Sequence, residues 1–458
     1  MVDVDIQGRS TTDCDAAIHS APGRLPFLGH SWILRHHPLE FMTSLQRSGD
    51  VSKIYLGSRQ VYVLNHPDLI RRVLVTDAHS FDKGALFDQL RGYVGSGLLT
   101  SSGSFHRKQR RLMQSAFNRE QIAVYAETME RIAAERADSW QDGQSLSINR
   151  EMDDLAFSIL TGTLFSSHSR DDIGAEIRKW LSVRIGAMGR TLSALPRWHR
   201  LLPFASRPSL DPEAIVRLRG LLDELITEYR ATGARRQDIL SIFLTEDAEG
   251  TGERMTDSEV RDELLTLLVA GTETTSAALA WTFHELHQAP DIEHRLHSEL
   301  GRAGLRRPFS YESCAELLYV RQILKEVLRR HAVWLLMRRV VAPVRFGGLE
   351  LRPGTEVCFS PYAVHHDPRF YVDPFRFDPD RWRAQSCSGP PRGAFFPFGM
   401  GNRLCLGESY AWAELIIVVA TVAARWKLAP ASQEPPVTPV VGTLIRPSET
   451  AMVVRARC

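Results

Sequence analysis

The chain has little cysteine, and its cysteines show no regular spacing. There are six among 458 residues, and no two of them form a Cys-x-x-Cys pair. Disulfide frameworks and zinc sites require cysteines at close, recurring intervals. The sequence therefore argues against both and predicts a reducing, cytoplasmic environment in which one cysteine has a chemical role.

An excess of charge of either sign is also missing. Lys+Arg total 56 and Asp+Glu total 54, which gives a formal net charge of +2. Nucleic-acid-binding proteins usually carry a strong basic excess, and disordered proteins combine high net charge with few apolar residues. With 43% hydrophobic residues, this chain is predicted to fold around a large core and to bind no nucleic acid.

Long apolar runs are absent as well. Runs such as Leu415–Ala420 are far shorter than the roughly 18–20 residues that cross a bilayer. Residues 1–20 carry four aspartates and resemble neither a signal peptide nor an anchor. We predict a disordered tail at 1–20 and one catalytic domain at 21–458, and we expect a monomer without a membrane anchor.

Periodicity and capping signals predict a helix-rich protein with small, mainly antiparallel sheets. The clearest helix runs over Thr256–Gln288, because Thr256 and Glu259 have the spacing of a capping box and Pro290 follows the far end. Short strands are predicted at Val51–Leu56, Gln60–Leu64, Val340–Phe346 and Glu356–Ser360.

The segment Phe398–Gly407 carries the most specific chemistry. It reads Phe-Gly-Met-Gly-Asn-Arg-Leu-Cys-Leu-Gly and precedes an apolar helical run. Gly401 and Gly407 permit a tight turn and close backbone approach, and Arg403 places a cation near the Cys405 sulfur. A buried, inert cysteine is the simpler interpretation of a lone cysteine. Because a thiolate rather than a thiol binds metal, the full pattern instead predicts a rigidly held metal ligand.

The order Phe-x-x-Gly-x-Arg-x-Cys-x-Gly resembles the haem-binding signature of the cytochrome P-450 monooxygenases. The resemblance implies a mainly α, single-domain cytochrome P-450 fold and haem b (iron protoporphyrin IX) with Cys405 as its axial thiolate ligand. Arginine suits the haem propionates because its guanidinium can bind a carboxylate through two hydrogen bonds. The further haem-binding positions implied are His106, Arg110, Ala270, Arg338, Phe398, Arg403 and Gly407.

Polar residues interrupt the middle of the long predicted helix, which reads Ala270-Gly271-Thr272-Glu273-Thr274-Thr275. Such groups are costly in an apolar helix unless they have partners or a function, and they predict a locally opened helix. A helix kink with hydroxyls bonded back to carbonyls is the alternative. The segment resembles the family's oxygen-binding groove, which implies Glu273 as the acid and Thr274 as the alcohol of a proton relay to dioxygen.

Glu326 and Arg329 have the i, i+3 spacing of neighbours on one helix face. By itself that spacing indicates only a surface ion pair. Together with Arg381, in the later segment 377–382, it resembles the family's Glu-x-x-Arg motif and its downstream arginine. The resemblance implies a buried cluster of Glu326, Arg329 and Arg381 that serves folding and haem retention.

Four segments resemble substrate-contacting regions of the family: the loop around 87–94, the helix residues 267–271, the stretch 333–336 and the C-terminal turn 442–444. They are mostly apolar, so the implied substrate is small, apolar and neutral, although core packing explains each residue equally well by itself. The candidate contacts are Phe87, Leu90, Tyr93, Val94, Leu267, Val333, Trp334, Leu335, Leu336, Thr443 and Leu444. The hydrophobic segment 194–210 is a candidate mobile lid.

The resemblance implies an enzyme that uses O2 to hydroxylate or further oxidise an apolar natural product in bacterial secondary metabolism. Weaker similarity to terpene-oxidising members favours a terpene, and a polyketide or macrolide is the alternative. Electrons are expected from a ferredoxin and its reductase, which Arg107, Lys108 and Arg111 are predicted to attract.

Two other functions fit the sequence less well. A haem-thiolate peroxygenase or isomerase needs no redox partner, but such members tend to lack the acid–alcohol pair. A non-catalytic haem sensor or electron carrier needs neither a large apolar pocket nor a proton relay.

Overall fold

The computed structural model describes residue 18 and residues 20–165, 174–181, 212–232, 237–245, 252–303, 311–346, 349–383, 389–431 and 435–457. The candidate lid at 194–210 and nearly all of the predicted tail at 1–20 lie outside these ranges.

Helices make up most of the described residues, as the sequence predicts. They are α1 (Ser31–His36), α2 (Pro38–Ser44), α3 (Pro67–Arg71), α4 (Ala85–Val94), α5 (Gly103–Gln114), α6 (Arg119–Asp138), α7 (Ile148–Leu164), α8 (Pro212–Thr232), α9 (Ile239–Thr245), α10 (Asp257–Gln288), α11 (Pro290–Ala303), α12 (Leu318–Arg330), α13 (Pro361–His365) and α14 (Glu408–Arg425).

The strands form small sheets at the periphery of the helices. They are β1 (Val51–Leu56), β2 (Arg59–Leu64), β3 (Phe81–Lys83), β4 (Ser145–Ser147), β5 (Leu336–Val340), β6 (Val344–Phe346), β7 (Leu349–Leu351), β8 (Glu356–Phe359), β9 (Trp426–Pro430), β10 (Pro439–Val441), β11 (Ile445–Pro447) and β12 (Ala451–Ala456). The sheet orders are β1-β2-β8-β5-β3, β4-β12-β9, β10-β11 and β6-β7. Strands β2 and β8 pair in parallel, and the other pairings are antiparallel.

The long predicted helix is confirmed as α10, which forms the centre of the core. The Thr256 side chain accepts a hydrogen bond from the Glu259 N–H, and the Glu259 carboxylate accepts one from the Thr256 N–H, which completes the capping box. The helix is long and apolar enough to cross a membrane, but 78% of its most apolar stretch is buried within the fold. Such burial on all sides is typical of a core helix.

Two expectations about local structure are wrong. The segment predicted as a single strand at Val340–Phe346 is divided between β5 and β6, with Pro343 in the break between them. Proline cannot donate to a strand ladder, which accounts for the interruption. The predicted loop at 87–94 is instead part of helix α4, where Phe87, Leu90, Tyr93 and Val94 are all buried.

Candidate functional site

The Cys405 loop is held by a close backbone approach at Gly401. Its φ is +67°, and a Cβ there would lie 2.1 Å from the Leu74 carbonyl oxygen, so only glycine fits. The Cys405 N–H donates to the Phe398 carbonyl at 2.9 Å and closes the turn. The same argument fails for Gly407, because a Cβ there would meet only Phe117, at an ordinary 3.9 Å.

Cys405 differs from the other cysteines that the structure describes. Cys314 and Cys358 are buried, and Cys405 is accessible, although many protein atoms surround it. Burial by these atoms raises the pKa of the Cys405 thiol, whereas the Gly407 N–H and the Arg110 guanidinium favour the thiolate. Cys405 therefore occupies a recess that a ligand can enter, and a bound metal would supply the remaining stabilisation of the thiolate.

Glu414, which the sequence motifs do not mark, connects α14, the helix that follows Cys405, to α10. The Thr275 hydroxyl lies 3.1 Å from Glu414 Oε1 and 2.8 Å from the Gly271 carbonyl oxygen, and it can donate its one proton to either of them. Burial raises the pKa of Glu414 to about 8, so it is largely protonated at neutral pH. The signal in the sequence is a single carboxylate at the edge of the apolar run in α14.

Beside the Cys405 loop lies a cationic cluster, which we define as Lys83, His106, Arg110, Arg338 and Arg403. Burial, with Arg403 and Lys83 the next largest influences, lowers the pKa of His106 to about 3. Burial and Arg403 lower the pKa of Arg338 to about 10. These electrostatic influences indicate that the three arginines predicted as haem anchors lie near one another, with His106 beside them.

The cluster has little compensating negative charge. Asp82 accepts from Arg403 Nη2 at 2.7 Å, whereas Arg110 donates to the Leu404 carbonyl and Arg338 to the Met337 carbonyl. Buried charge without an opposite partner is costly. The surplus of positive charge therefore fits an anionic ligand, and the carboxylates of the predicted haem supply that charge next to a thiolate.

Lys83 is a member of this cluster that the sequence analysis did not identify. In the antiparallel pair of β3 and β5 it lies directly opposite Arg338, and like charges in that position are destabilising. Burial, followed by Arg338 and Arg403, lowers the Lys83 pKa well below its ordinary value. No local motif marks Lys83, because its significance comes from strand register.

The segment 270–275 of α10, which is predicted to form an oxygen-binding groove, is a regular helix, so the predicted local opening is wrong. The Thr274 hydroxyl donates to the Ala270 carbonyl at 2.7 Å, which is the back-bonded arrangement named as the alternative. Gly271 lets α7 pack closely against α10, since a Cβ there would lie 3.0 Å from a methyl group of Leu160. Thr274 is nevertheless exposed in an otherwise buried stretch of α10, as a residue facing a ligand space would be.

Glu273 points to the turn between β10 and β11. Its Oε1 accepts a hydrogen bond from the Thr443 hydroxyl at 2.6 Å. Burial raises the pKa of Glu273, and the Thr443 hydrogen bond and the nearby Arg446 oppose that shift. The structure thus joins the predicted acid to a predicted substrate contact 170 residues away in the chain.

Most of the other candidate substrate residues pack in or against hydrophobic clusters, and they do not all share one cluster. The α4 residues, with Leu267 and Leu336, belong to the main core, whereas Trp334 and Leu335 pack against a second cluster that includes Met337. Trp334 Nε1 donates to the Gly442 carbonyl at 2.9 Å, which brings the 333–336 segment to the turn containing Thr443 and Leu444. Val333 is partly buried on the same segment.

The predicted contacts among Glu326, Arg329 and Arg381 are confirmed. Glu326 accepts two hydrogen bonds from Arg329 at 2.9 Å and one from Arg381 at 3.1 Å. All three side chains are at most 1% exposed. Trp382 Nε1 and the Asp378 N–H also donate to Glu326, so its carboxylate joins α12 to the segment 378–382.

The basic patch predicted on α5 is partly neutralised. Lys108 pairs with Glu259 at 3.2 Å, and Arg111 pairs with Glu253. Arg107 is exposed to solvent. Fewer cations on this face are thus available to a partner than the sequence suggests.

Two carboxylates of α10 anchor the loop between α4 and α5. Asp262 accepts from the Ser96 N–H, and Glu263 from the Leu98 N–H, each at 2.8 Å. A Cβ at Gly97 would lie 2.3 Å from the Thr266 hydroxyl, so glycine allows the loop to dock. This contact positions the start of α5, which carries His106 and Arg110.

Glu263→Gln is expected to remove part of the pH dependence of stability. Burial raises the Glu263 pKa to about 8 from its ordinary 4.5, so between these values the folded state retains a proton that the unfolded state has lost. The free energy of unfolding therefore falls with rising pH across that range, by up to about 1.4 kcal/mol per pH unit. Glutamine keeps the acceptor for Leu98 but cannot titrate.

Chemical unfolding of both proteins at several pH values measures this slope. Glu135→Gln, at an exposed ion pair with Arg131, is the control and should leave the slope unchanged. The same slope in Glu263→Gln and in the wild type would contradict the assignment.

Comparison with known proteins identifies related sequences. Residues 20–454 match the family model described as cytochrome P-450. Cyclooctat-9-en-7-ol 5-monooxygenase from Streptomyces melanosporofaciens is 38% identical over 413 residues, which cover 90% of this chain and 89% of that protein. Pentalenene oxygenase from Streptomyces avermitilis is 35% identical over 412 residues, which cover 89% of this chain and 91% of that protein.

Solved structures share the fold. A cytochrome P-450 crystal structure superimposes with a TM-score of 0.82 at 23% identity, covering 96% of this chain and 99% of that chain. A cytochrome P-450 haem domain gives a TM-score of 0.84 at 23% identity, covering 96% and 98%. The predicted fold class is therefore confirmed.

Proposed function

Because the chain belongs to the cytochrome P-450 family and is a monooxygenase of that family, we propose that it oxidises an apolar cyclic terpene with haem b as its cofactor. The observation that carries the proposal is the accessible Cys405 beside a surplus of cations that are buried or partly buried. The names of the two terpene-oxidising relatives support the substrate class, as do the apolar candidate contacts.

The proposed roles follow from the geometry of the side chains. Cys405 would be the thiolate ligand of haem iron, which, when bound, would supply the activation of O2. Arg110, Arg338 and Arg403, with Lys83, would bind the propionates as charge-assisted hydrogen-bond donors. Phe398, Ala270, His106 and Gly407 form the surrounding contacts.

Proton delivery is assigned to Glu273 and Thr274. Burial raises the pKa of the Glu273 carboxyl and so favours its protonated form. The Thr443 hydroxyl holds that carboxyl in the observed orientation, so the proposed relay requires the carboxyl to rotate away from Thr443. The Thr274 hydroxyl is the last donor in this proposed relay.

Thr274→Ala is expected to retain haem and substrate binding but to divert electrons to peroxide. General acid catalysis typically contributes about 10²–10⁴-fold, so product formed per NADPH should fall at least about tenfold. Oxygen, NADPH and peroxide measured together give the coupling. Thr282→Ala is the matched control, because Thr282 makes the same back-bond on the same helix, to Ala278 at 2.7 Å.

Full coupling in Thr274→Ala would remove Thr274 from the relay. A loss of coupling in both variants would show that the effect comes from altering the helix.

A ferredoxin and its reductase are the proposed electron donors, and members of this family need external or fused redox partners. Exposed Arg107 on α5 is the proposed docking cation for an acidic ferredoxin. The rate of haem reduction should fall severalfold as ionic strength rises, since salt screens exposed charges. Arg107→Glu should lower the rate at low salt. A rate independent of both changes would contradict this docking face.

Turnover tests the proposed function. The enzyme, a surrogate ferredoxin and reductase, and NADPH are incubated with cyclic sesquiterpenes and diterpenes or with macrolides. We expect products with one added oxygen from a terpene. Products from macrolides alone would favour the alternative substrate class, and peroxide-driven turnover equal to the reductase-driven rate would favour a peroxygenase.

A further inference from the structure

A cleft of about 490 Å³ lies where the end of α10 meets the end of α12, α13 and β11. Pockets that hold small molecules usually enclose roughly 300–1,000 Å³. The described residues that line the cleft include neither Cys405 nor any candidate substrate contact. Trp281, in its wall, follows Thr274 by two helical turns, which is about 10 Å along α10. The cleft is therefore a second space beside the proposed site of oxidation, with a lining of its own.

The walls of the cleft are fixed by contacts within the protein. Trp281 Nε1 donates to the Ile445 carbonyl at 3.0 Å, which joins α10 to β11. The rings of Trp281 and His331 stack with their centroids 3.7 Å apart, which joins α10 to the end of α12. A cleft whose walls are already held in place can bind a ligand without first ordering its own side chains.

Aromatic rings form a second part of the wall. The His366 ring contacts those of Tyr362 and Phe375, with centroids 4.1 and 5.0 Å away. Phe375 is 60% exposed, so much of its ring is uncovered at the rim. Flat apolar molecules pack well against such rings, and their binding would remove the exposed ring of Phe375 from water.

The charged groups in the wall balance one another. Glu285 pairs with Arg330, and its Oε1 lies 2.7 Å from His331 Nε2. Burial lowers the pKa of His331 to about 4 and lowers the pKa values of His284 and His366 as well. The three imidazoles are therefore neutral at neutral pH. One cation and one anion in contact favour a neutral ligand over an ion.

Arg330 also offers hydrogen-bond donors to a ligand. Its guanidinium has five N–H donors, and Glu285 accepts from Nη1. Among the described residues, no acceptor pairs with the buried Nε of Arg330, although 22% of the side chain is exposed. Unpaired buried donors are unfavourable, so a carbonyl oxygen near this guanidinium would be stabilised.

We propose that this cleft is a second ligand site, which binds a planar, neutral, aromatic molecule that carries a carbonyl group. The ligand's rings pack against Phe375 and His366, and its carbonyl oxygen points toward Arg330. The proposal is independent of which substrate the enzyme oxidises.

Equilibrium dialysis of the ferric holoenzyme with coumarin, a planar neutral molecule with one carbonyl group, tests the proposal. Saturating 1-butylimidazole first occupies the haem site, and the optical shift on its coordination to iron shows that this block is complete. We expect one equivalent of coumarin to bind to the blocked enzyme. Naphthalene, which has two fused rings but no carbonyl group, should bind about tenfold more weakly, because it gives Arg330 no acceptor.

Two variants of exposed residues locate the bound coumarin. Phe375→Ala removes a ring from the rim and should weaken binding about tenfold. Gln288→Trp places a large side chain in the lining, at an exposed position at the end of α10, and should abolish binding. Phe27→Ala is the matched control, because Phe27 is 87% exposed and lies outside the cleft, and it should leave binding unchanged.

Three results would overturn the proposal. An absence of bound coumarin in the blocked wild-type enzyme would mean that the cleft holds only water. Wild-type affinity in both Phe375→Ala and Gln288→Trp would place the coumarin elsewhere on the protein. Equal affinity for coumarin and naphthalene would remove the proposed role of Arg330 and with it the carbonyl requirement.

Discussion

Glu326→Ala is expected to lower the free energy of unfolding by about 3–5 kcal/mol, the usual cost of leaving a buried charge without its partner. The change would strand two guanidinium groups, of Arg329 and Arg381, that are almost completely buried. It would also remove the acceptor of Trp382. Denaturant unfolding of the holoenzyme and the haem-free protein measures the loss.

Glu135→Ala is the control, because Glu135 pairs with Arg131 on the surface with both side chains more than half exposed. Such pairs contribute roughly 0–1 kcal/mol. If Glu326→Ala does not fold, Glu326→Gln keeps the acceptor oxygen and allows the measurement. A loss for either Glu326 variant no larger than for Glu135→Ala would contradict the structural role of the cluster.

Lys83→Met is expected to act in opposite directions on the haem-free and haem-bound protein. Without an anion, Lys83 is a partly buried cation opposite Arg338, so its removal should stabilise the haem-free protein by about 1–3 kcal/mol. With haem bound, the same change would remove a proposed donor to a propionate. Haem transfer to an acceptor apoprotein should then be about tenfold faster, equivalent to about 1.4 kcal/mol.

Thermal unfolding of the haem-free protein and the haem-transfer rate together test this assignment. Lys53→Met, a substitution of a partly buried lysine on β1, should leave the haem-transfer rate unchanged. If Lys83→Met changes stability without changing haem retention, Lys83 has no contact with the cofactor.

Local patterns predicted those parts of the molecule that depend on neighbouring residues. The capping box and apolar stretch of α10 lie within one segment, and Gly401 belongs to the same ten residues as Cys405. The family resemblance added Arg381, which is 55 residues from Glu326 and which no helical spacing connects to it.

The features that the sequence did not predict depend on tertiary contacts. Lys83 matters because β3 pairs with β5 in a register that sets it opposite Arg338. Gly271 suggested an opened helix, but the helix is regular there and Leu160 of α7 packs closely against this glycine. Glu273 bonds to Thr443 across 170 residues, and no periodicity within either segment specifies that contact.

The most direct test of the account is an optical titration of the ferric holoenzyme with cyclic terpenes and, separately, with glycosylated macrolides. The account predicts a low-spin to high-spin shift with a terpene, because an apolar ligand entering the site displaces water from the metal, and no shift with macrolides. A shift with macrolides alone would contradict the terpene proposal.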